Sequence, residues 1–228
     1  MSPNKIREEP FLFTNRKEFD ELLSHVHHDA YAEFERISNM FSKIVLSNGA
    51  NSFSTTIVVY NTMRALVGIL GCRPTADKSD LYKAMAQMLY FPMSLNSELF
   101  IVAQDTTMKS YNPEDLSVEE KTDALVVTYV TPRDCVFFTI PYKIDSKNIV
   151  SFDLSKAYLH CVHQKKEAEK SSPVGDMLSL FYIFSHSATT GPFTPDEILA
   201  FLKINNFNFE IINPQNMTKS HIALPIAM

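Results

Sequence analysis

"SFSTTIVVYNTMRALVGILG", residues 52–71, is the stretch whose reading decides the fold. By β-branched content, "STTIVVY" (54–60) is a strand. By periodicity, Ile57, Tyr60, Arg64 and Val67 share one helical face. Phe53, Ile57, Val58, Met63, Leu66, Val67 and Leu70 then put apolar groups nearly all round. A run of this length suits a buried helix ending at Gly71 better than a single strand, and that preference tilts the reading of the whole chain towards helix.

The flanks point the same way. Thr14 is placed to cap a helix, with Glu18, Asp20 and Glu21 near the positive end of its dipole. Phe19, Leu23, Val26, Ala30, Phe34, Ile37, Phe41 and Val45 recur every three or four residues, the strongest periodic signal in the chain. "SNG" (47–49) ends it, with Gly49 suited to a left-handed position. Unbroken, this helix would be about 45 Å long at roughly 1.5 Å per residue. A break near "HHDA" (27–30) is the alternative. Downstream, Thr75 caps a helix from Ala76 to about Tyr90, with Leu81, Met85, Met88 and Leu89 inward and Pro92 as its stop.

The middle of the chain reads as β. "ELFIVAQ" (98–104), "DALVVTYVT" (123–131), "CVFFTIPYKI" (135–144) and "NIVSFDL" (148–154) are separated by turn chemistry, which predicts an antiparallel meander. Pro141 has no N–H for the ladder and belongs towards an edge. The last third returns to helix. Asp153 or Ser155 starts one through about Lys170, Pro173 sits near the start of "VGDMLSLFYIFSHS" (174–187), and Thr194 caps "EILAFLKINN" (197–206). A short strand, "FNFEII" (207–212), precedes the tail. The expected fold is α+β and predominantly α-helical, with a long N-terminal helix, a small antiparallel β-meander in the middle and C-terminal helices. The expected organisation is one domain, 1–228, with an N-terminal arm at 1–14 and a C-terminal arm at 213–228.

Composition bounds the function. The 228 residues are 45% apolar, with 17 Phe and 9 Tyr, enough for a core without metal or disulfide help. The formal charge of −5 disfavours a phosphate-binding surface. Lys165, Lys166 and Lys170 form the densest basic cluster, but Glu167 and Glu169 dilute it to a solvated face. No specific nucleic-acid partner is expected. "MSPNKIREEPFLF" has no apolar leader, and the longest clean apolar run is "ALVGIL" (65–70), so an intracellular chain without a membrane span is expected. On that expectation "NMT" (216–218) is a chance glycosylation match.

Signatures of catalysis are thin. With five glycines, no dinucleotide or P-loop glycine pattern can be written, and there is no GxSxG elbow. "AYLHCVHQKK" (157–166) gathers His160, Cys161 and His163, and His25 and His28 are spaced alike. Such pairs could ligate a metal across two helices, yet no HExxH or CxxC accompanies them. On a helix, neither His160 nor His163 faces the Cys161 sulfur. "HIAL" (221–224) and "HSAT" (186–189) miss the histidine motif of 2H phosphodiesterases. "NSFSTT" (51–56) and "TADKSDLYKAMAQMLYF" (75–91) resemble the opening helices of serpins. That likeness covers under a fifth of the chain, which is too short for the serpin sheet and reactive loop. No catalytic residue, cofactor or metal is therefore expected.

Two features remain to be explained. The three cysteines, Cys72, Cys135 and Cys161, cannot all pair within one chain and are candidate inter-chain thiols. Apolar residues also stand in otherwise polar arms: Phe11, Leu12 and Phe13, then Ile222, Leu224 and Ile226. Both suit a non-enzymatic, self-assembling structural protein, such as a viral coat or a polyhedrin-like occlusion-body matrix protein, built by arm exchange, hydrophobic contacts and disulfides. Its partner is itself, or a host or virion protein. An adaptor or inhibitor that binds a partner protein is the alternative, and a Cys/His-dependent hydrolase the third. The setting expected is the nucleus or cytoplasm of an infected cell.

Overall fold

The computed structural model describes residues 11–12, 16–24, 29–50, 52–61, 63, 65–72, 78–95, 97, 99–111, 118–131, 134–163 and 194–212. Among these, antiparallel β-sheet dominates and the helices are few, which corrects the expected helical fold. The misreading starts at residues 52–71. Thr56–Tyr60 (β2) and Leu66–Gly71 (β3) form an antiparallel hairpin, with Ile57 opposite Leu70 and Val58 opposite Ile69. All five residues of β2 are buried. Apolar groups all round therefore mark a strand covered on both faces, which periodicity does not distinguish from a buried helix. The turn is made by Asn61, whose Oδ1 accepts from the N–H groups of Met63 (2.9 Å) and Ala65 (3.0 Å). A helical count across 52–71 runs straight through that turn.

The strand order is β1-β8-β6-β5-β4-β2-β3-β9, with β7 also on β6. Here β1 is Phe11–Leu12, β4 Leu99–Tyr111, β5 Val118–Val130, β6 Asp134–Ile144, β7 Val150–Phe152, β8 Tyr158–His163 and β9 Asn208–Ile211. The meander expected in the middle is present, but β4 and β5 are 13 residues each. Their polar halves, "DTTMKSY" (105–111) and "VEEKT" (118–122), hold the ladder without an apolar pattern to announce it. Pro141 does not lie towards an edge. It sits in β6, which has β5 and β8 as neighbours, and its carbonyl accepts from the Asp153 N–H at 2.8 Å. The helix expected from Asp153 or Ser155 is a single 3₁₀ turn, Leu154–Lys156, leading into β8. The helix expected over 174–187 lies outside the described residues.

By internal packing the chain divides into two compact units. The first comprises Met1–Phe53, Ala103–Thr128 and Val136–Cys161. The long N-terminal helix is in fact two, Arg16–Leu23 (α1) and Ala30–Asn48 (α2). Asp29 caps α2 through the Ala32 N–H and takes an ion pair from Arg16 at 3.0 Å, while Asp20 accepts from the Tyr31 N–H. The apolar period nonetheless survives the break, because Phe19, Leu23, Ala30, Phe34, Ile37, Phe41 and Val45 are all buried. Phe19 meets Phe138 of β6 edge-on at 4.8 Å, and Phe41 meets Phe53 and Tyr142 at 5.0 Å. Gly49 ends α2 with φ +89° and ψ 176°. The positive φ is as expected, but the extended ψ belongs to a region essentially restricted to glycine.

The second unit comprises Ser54–Val102, Tyr129–Cys135 and Val162–Met228. Helices Lys78–Met88 (α3) and Tyr90–Ser94 (α4) follow the β2/β3 hairpin, and α3 packs on α4. Pro92 is not the stop of α3, which ends at Met88: it is the third residue of α4, where an N–H has no intrahelical acceptor to lose. Gly68 lets α4 approach, since a Cβ there would stand 2.8 Å from Phe91 Cζ and 2.7 Å from Leu95 Cδ1. Thr194 opens helix Pro195–Ile204 (α5) with a full capping box to Glu197, as the sequence predicts. Strand β9 follows, as predicted, and pairs with β3.

Candidate functional site

Two local arrangements stand out, one in each unit. In the first, Tyr142 Oη on β6 donates to Asp105 Oδ1 on β4 at 2.6 Å. Tyr142 is buried, with Phe41 and Phe152 packed on its ring. Asp105 is half-buried, and Thr107 on the same strand donates to Asp123 Oδ1 at 3.0 Å. Burial pushes the Asp105 carboxyl above its ordinary value, the Tyr142 hydrogen bond opposes that rise, and the nearby Asp123 charge adds to it. Burial also pushes the Tyr142 phenol far up, and its bond to Asp105 and the charges of Asp105 and Asp123 reinforce this. Perturbed groups in a cluster are the usual mark of a functional site, but structural hydrogen bonds perturb titration equally. Nothing here positions a nucleophile. Chemically, the arrangement is a buried donor held on a carboxylate, joining strands that are not neighbours.

The second arrangement is the outer edge of β9. It hydrogen-bonds β3 on one side, with Gly68 opposite Ile211 and Leu70 opposite Phe209. Among the described residues no strand pairs its other side. Phe209 faces α4, its ring 5.5 Å from Phe91. Ile211, two residues on, shares that face and is 51% exposed. On α5, which packs against α4, Phe201 and Ile204 are 39% and 80% exposed. A strand edge with apolar neighbours is a ready template for another strand.

Of the residues singled out by sequence, those described fall on β1, just after β3, on β6 and on β8. Cys72 follows β3 and is buried, 8% exposed, its N–H on the Thr55 carbonyl at 2.7 Å. Cys135 lies in β6 and Cys161 in β8, with side chains outside the description. His160, Cys161 and His163 are on strand β8, not on the helix expected for them. Phe11 and Leu12 form β1, opposite Leu159 and Tyr158 of β8. Phe13, Ile222, Leu224 and Ile226 lie outside the described residues. Asp105, Tyr142 and β9 carry no motif in the sequence. The alternation of Asp105 with Thr107 in a β-rich run is the only trace of the first arrangement.

No protein-family model, curated protein or solved structure matches this chain. Among the described residues no helix is long and apolar enough to cross a membrane, and no three His, Cys, Asp or Glu gather as a metal site.

Proposed function

We propose that this chain is a non-enzymatic structural protein that assembles with copies of itself. The observation that carries the reading is the outer edge of β9, unpaired among the described residues, beside exposed Ile211, Ile204 and Phe201. Soluble chains usually blunt such edges with Pro, Lys or a covering element, and "NFEI" (208–211) has only Glu210 for that purpose. The pairing of β1 with β8 adds a second route. A neighbour's Phe11–Leu12 could replace the chain's own on Tyr158–Leu159, an arm exchange that creates no new type of contact. Burial of Cys72 leaves Cys135 and Cys161 as the thiols proposed for inter-chain bonds. In its narrowest form the proposal is a viral coat or occlusion-body matrix protein, made in the nucleus or cytoplasm of an infected cell.

Light scattering of the full chain, with and without reductant, tests the proposal. Assembly supports it, and thiol sensitivity supports its covalent part. A chain monomeric in both conditions overturns it and leaves the adaptor reading, in which the same edge takes a strand from a different protein.

A further inference from the structure

We infer that β9 docks on β9 of a second copy, antiparallel about a two-fold axis, with Glu210 opposite its own counterpart. The inference rests on the self-assembly reading and specifies its interface.

The register of the ladder fixes which backbone groups are open. Ile212 donates its N–H to the Val67 carbonyl at 2.8 Å, continuing the β3–β9 register. In an antiparallel ladder alternate residues turn both N–H and C=O to one partner. Ile212, Glu210 and Asn208 therefore point at β3, and Phe209 and Ile211 point away. The other side of β3 obeys the same alternation: the Cys72 N–H, just past β3, reaches the carbonyl of Thr55, just before β2, continuing the β2–β3 register. Four polar groups, the N–H and C=O of Phe209 and Ile211, thus face outward along β9.

A second β9 satisfies all four. Centred on Glu210, the two-fold register sets Phe209 opposite Ile211 of the second copy, and Ile211 opposite its Phe209. Each N–H meets a C=O, so the partial charges are complementary along the whole strand. Centring the axis on Phe209 or Ile211 instead leaves one outward residue without a β9 partner. The favoured register also places an aromatic beside a β-branched side chain twice on the α4 face, a stabilising cross-strand pair. Its one mismatch is Glu210 against Glu210, and like charges directly opposite are destabilising. A ribbon this short buries less than the roughly 1,200 Å² of a stable interface, so the contact is concentration-dependent and Glu210 keeps it weak.

The test uses the full chain and three substitutions, with circular dichroism as the folding control. Glu210→Cys should form a disulfide-linked dimer in air, recognised by mass spectrometry as a 210–210 peptide. Non-hydrogen-bonded antiparallel pairs hold their Cα atoms about 4.5 Å apart, within disulfide reach. Asn208→Cys should form no 208–208 link, because the register separates those positions by about 13 Å, four residues at roughly 3.3 Å each. Glu210→Gln should tighten self-association about two- to fivefold, the range for one cross-strand pair. A wild-type chain that assembles while Glu210→Cys gives no 210–210 link and Glu210→Gln changes nothing overturns this interface and leaves self-assembly standing. A wild-type chain that stays monomeric overturns both. Monomers whose Phe209 and Ile211 amides are protected from exchange would show that another part of the chain covers the edge, which also overturns the inference.

Discussion

Tyr142 donates its phenol hydrogen to Asp105 at 2.6 Å, reaching from β6 to β4 past the strand between them. The bond answers two demands together. It gives a buried phenol its acceptor and a half-buried carboxylate a donor that water no longer supplies. Removing the donor should therefore cost more than the bond itself. Tyr142→Phe is expected to lower stability by about 1–3 kcal/mol, the range for stranding a buried acceptor. Urea denaturation measures it, and a loss below a few tenths of a kcal/mol would show that water replaces the phenol.

The same pair sets a pH dependence. The folded Asp105 carboxyl titrates above its ordinary range, chiefly through burial. Unfolded, it titrates near about 3.9. Between those values the folded state holds the proton more tightly, so this residue's contribution falls as pH rises through the window. Tyr142 acts likewise at the other end, since its folded phenol titrates far above the about 10 of an unfolded tyrosine. Stability should be lost as pH climbs beyond that value. Absorbance titration at alkaline pH should show at least one tyrosine ionising only when the chain unfolds. Asp105→Asn should flatten the acidic slope while keeping an acceptor for Tyr142. A slope unchanged by Asp105→Asn would assign it to other carboxylates.

Two glycines should resist replacement for different reasons. Gly68→Ala drives a methyl into Phe91 and Leu95, and an overpacked core costs about 1–3 kcal/mol. Gly49→Ala meets nothing within 4 Å, but its φ of +89° with extended ψ strains any side chain. That strain is worth about 1–3 kcal/mol. Thermal denaturation of both variants checks this, and the Gly49 result separates backbone strain from crowding.

Deleting residues 1–12 removes β1 and bares the β8 edge. If arms cement the assembly, the truncated chain should stay folded and associate less, and equal association would exclude arm exchange. The thiol claim has a separate readout. Oxidised material should run as a dimer or ladder on a non-reducing gel, through Cys135 or Cys161. A single monomer band would remove the covalent component.

Much of the local chemistry was legible in the sequence. The Thr194 capping box, the helix it opens and the strand "FNFEII" are where the letters put them, because caps and turns are local. The inward face of residues 19–45 was also legible, since burial repeats with the same period on either side of Asp29. The fold class was not. Residues 54–71 are apolar on every side, so helix and doubly covered strand write nearly the same sequence, and only the Asn61 turn decides. The polar halves of β4 and β5 are strands by pairing with each other, which no count along one chain detects. The Asp105–Tyr142 bond spans 37 residues and follows from that pairing, so it was hidden for the same reason. That β9 is unpaired on one side among the described residues depends on its place at the end of the strand order, which no local pattern announces.

Self-assembly is the central claim, and sedimentation velocity of the full chain over a wide concentration series, at neutral pH with reductant present, tests it most directly. Reductant removes disulfides, so any association measured is non-covalent. The sedimentation coefficient should rise with concentration as monomers give way to dimers and larger species, and raising the pH towards 10–11 should shift the distribution back, as tyrosines begin to ionise and lysines lose charge on a chain already at −5. A single monomeric boundary, unchanged across the series, would contradict the account.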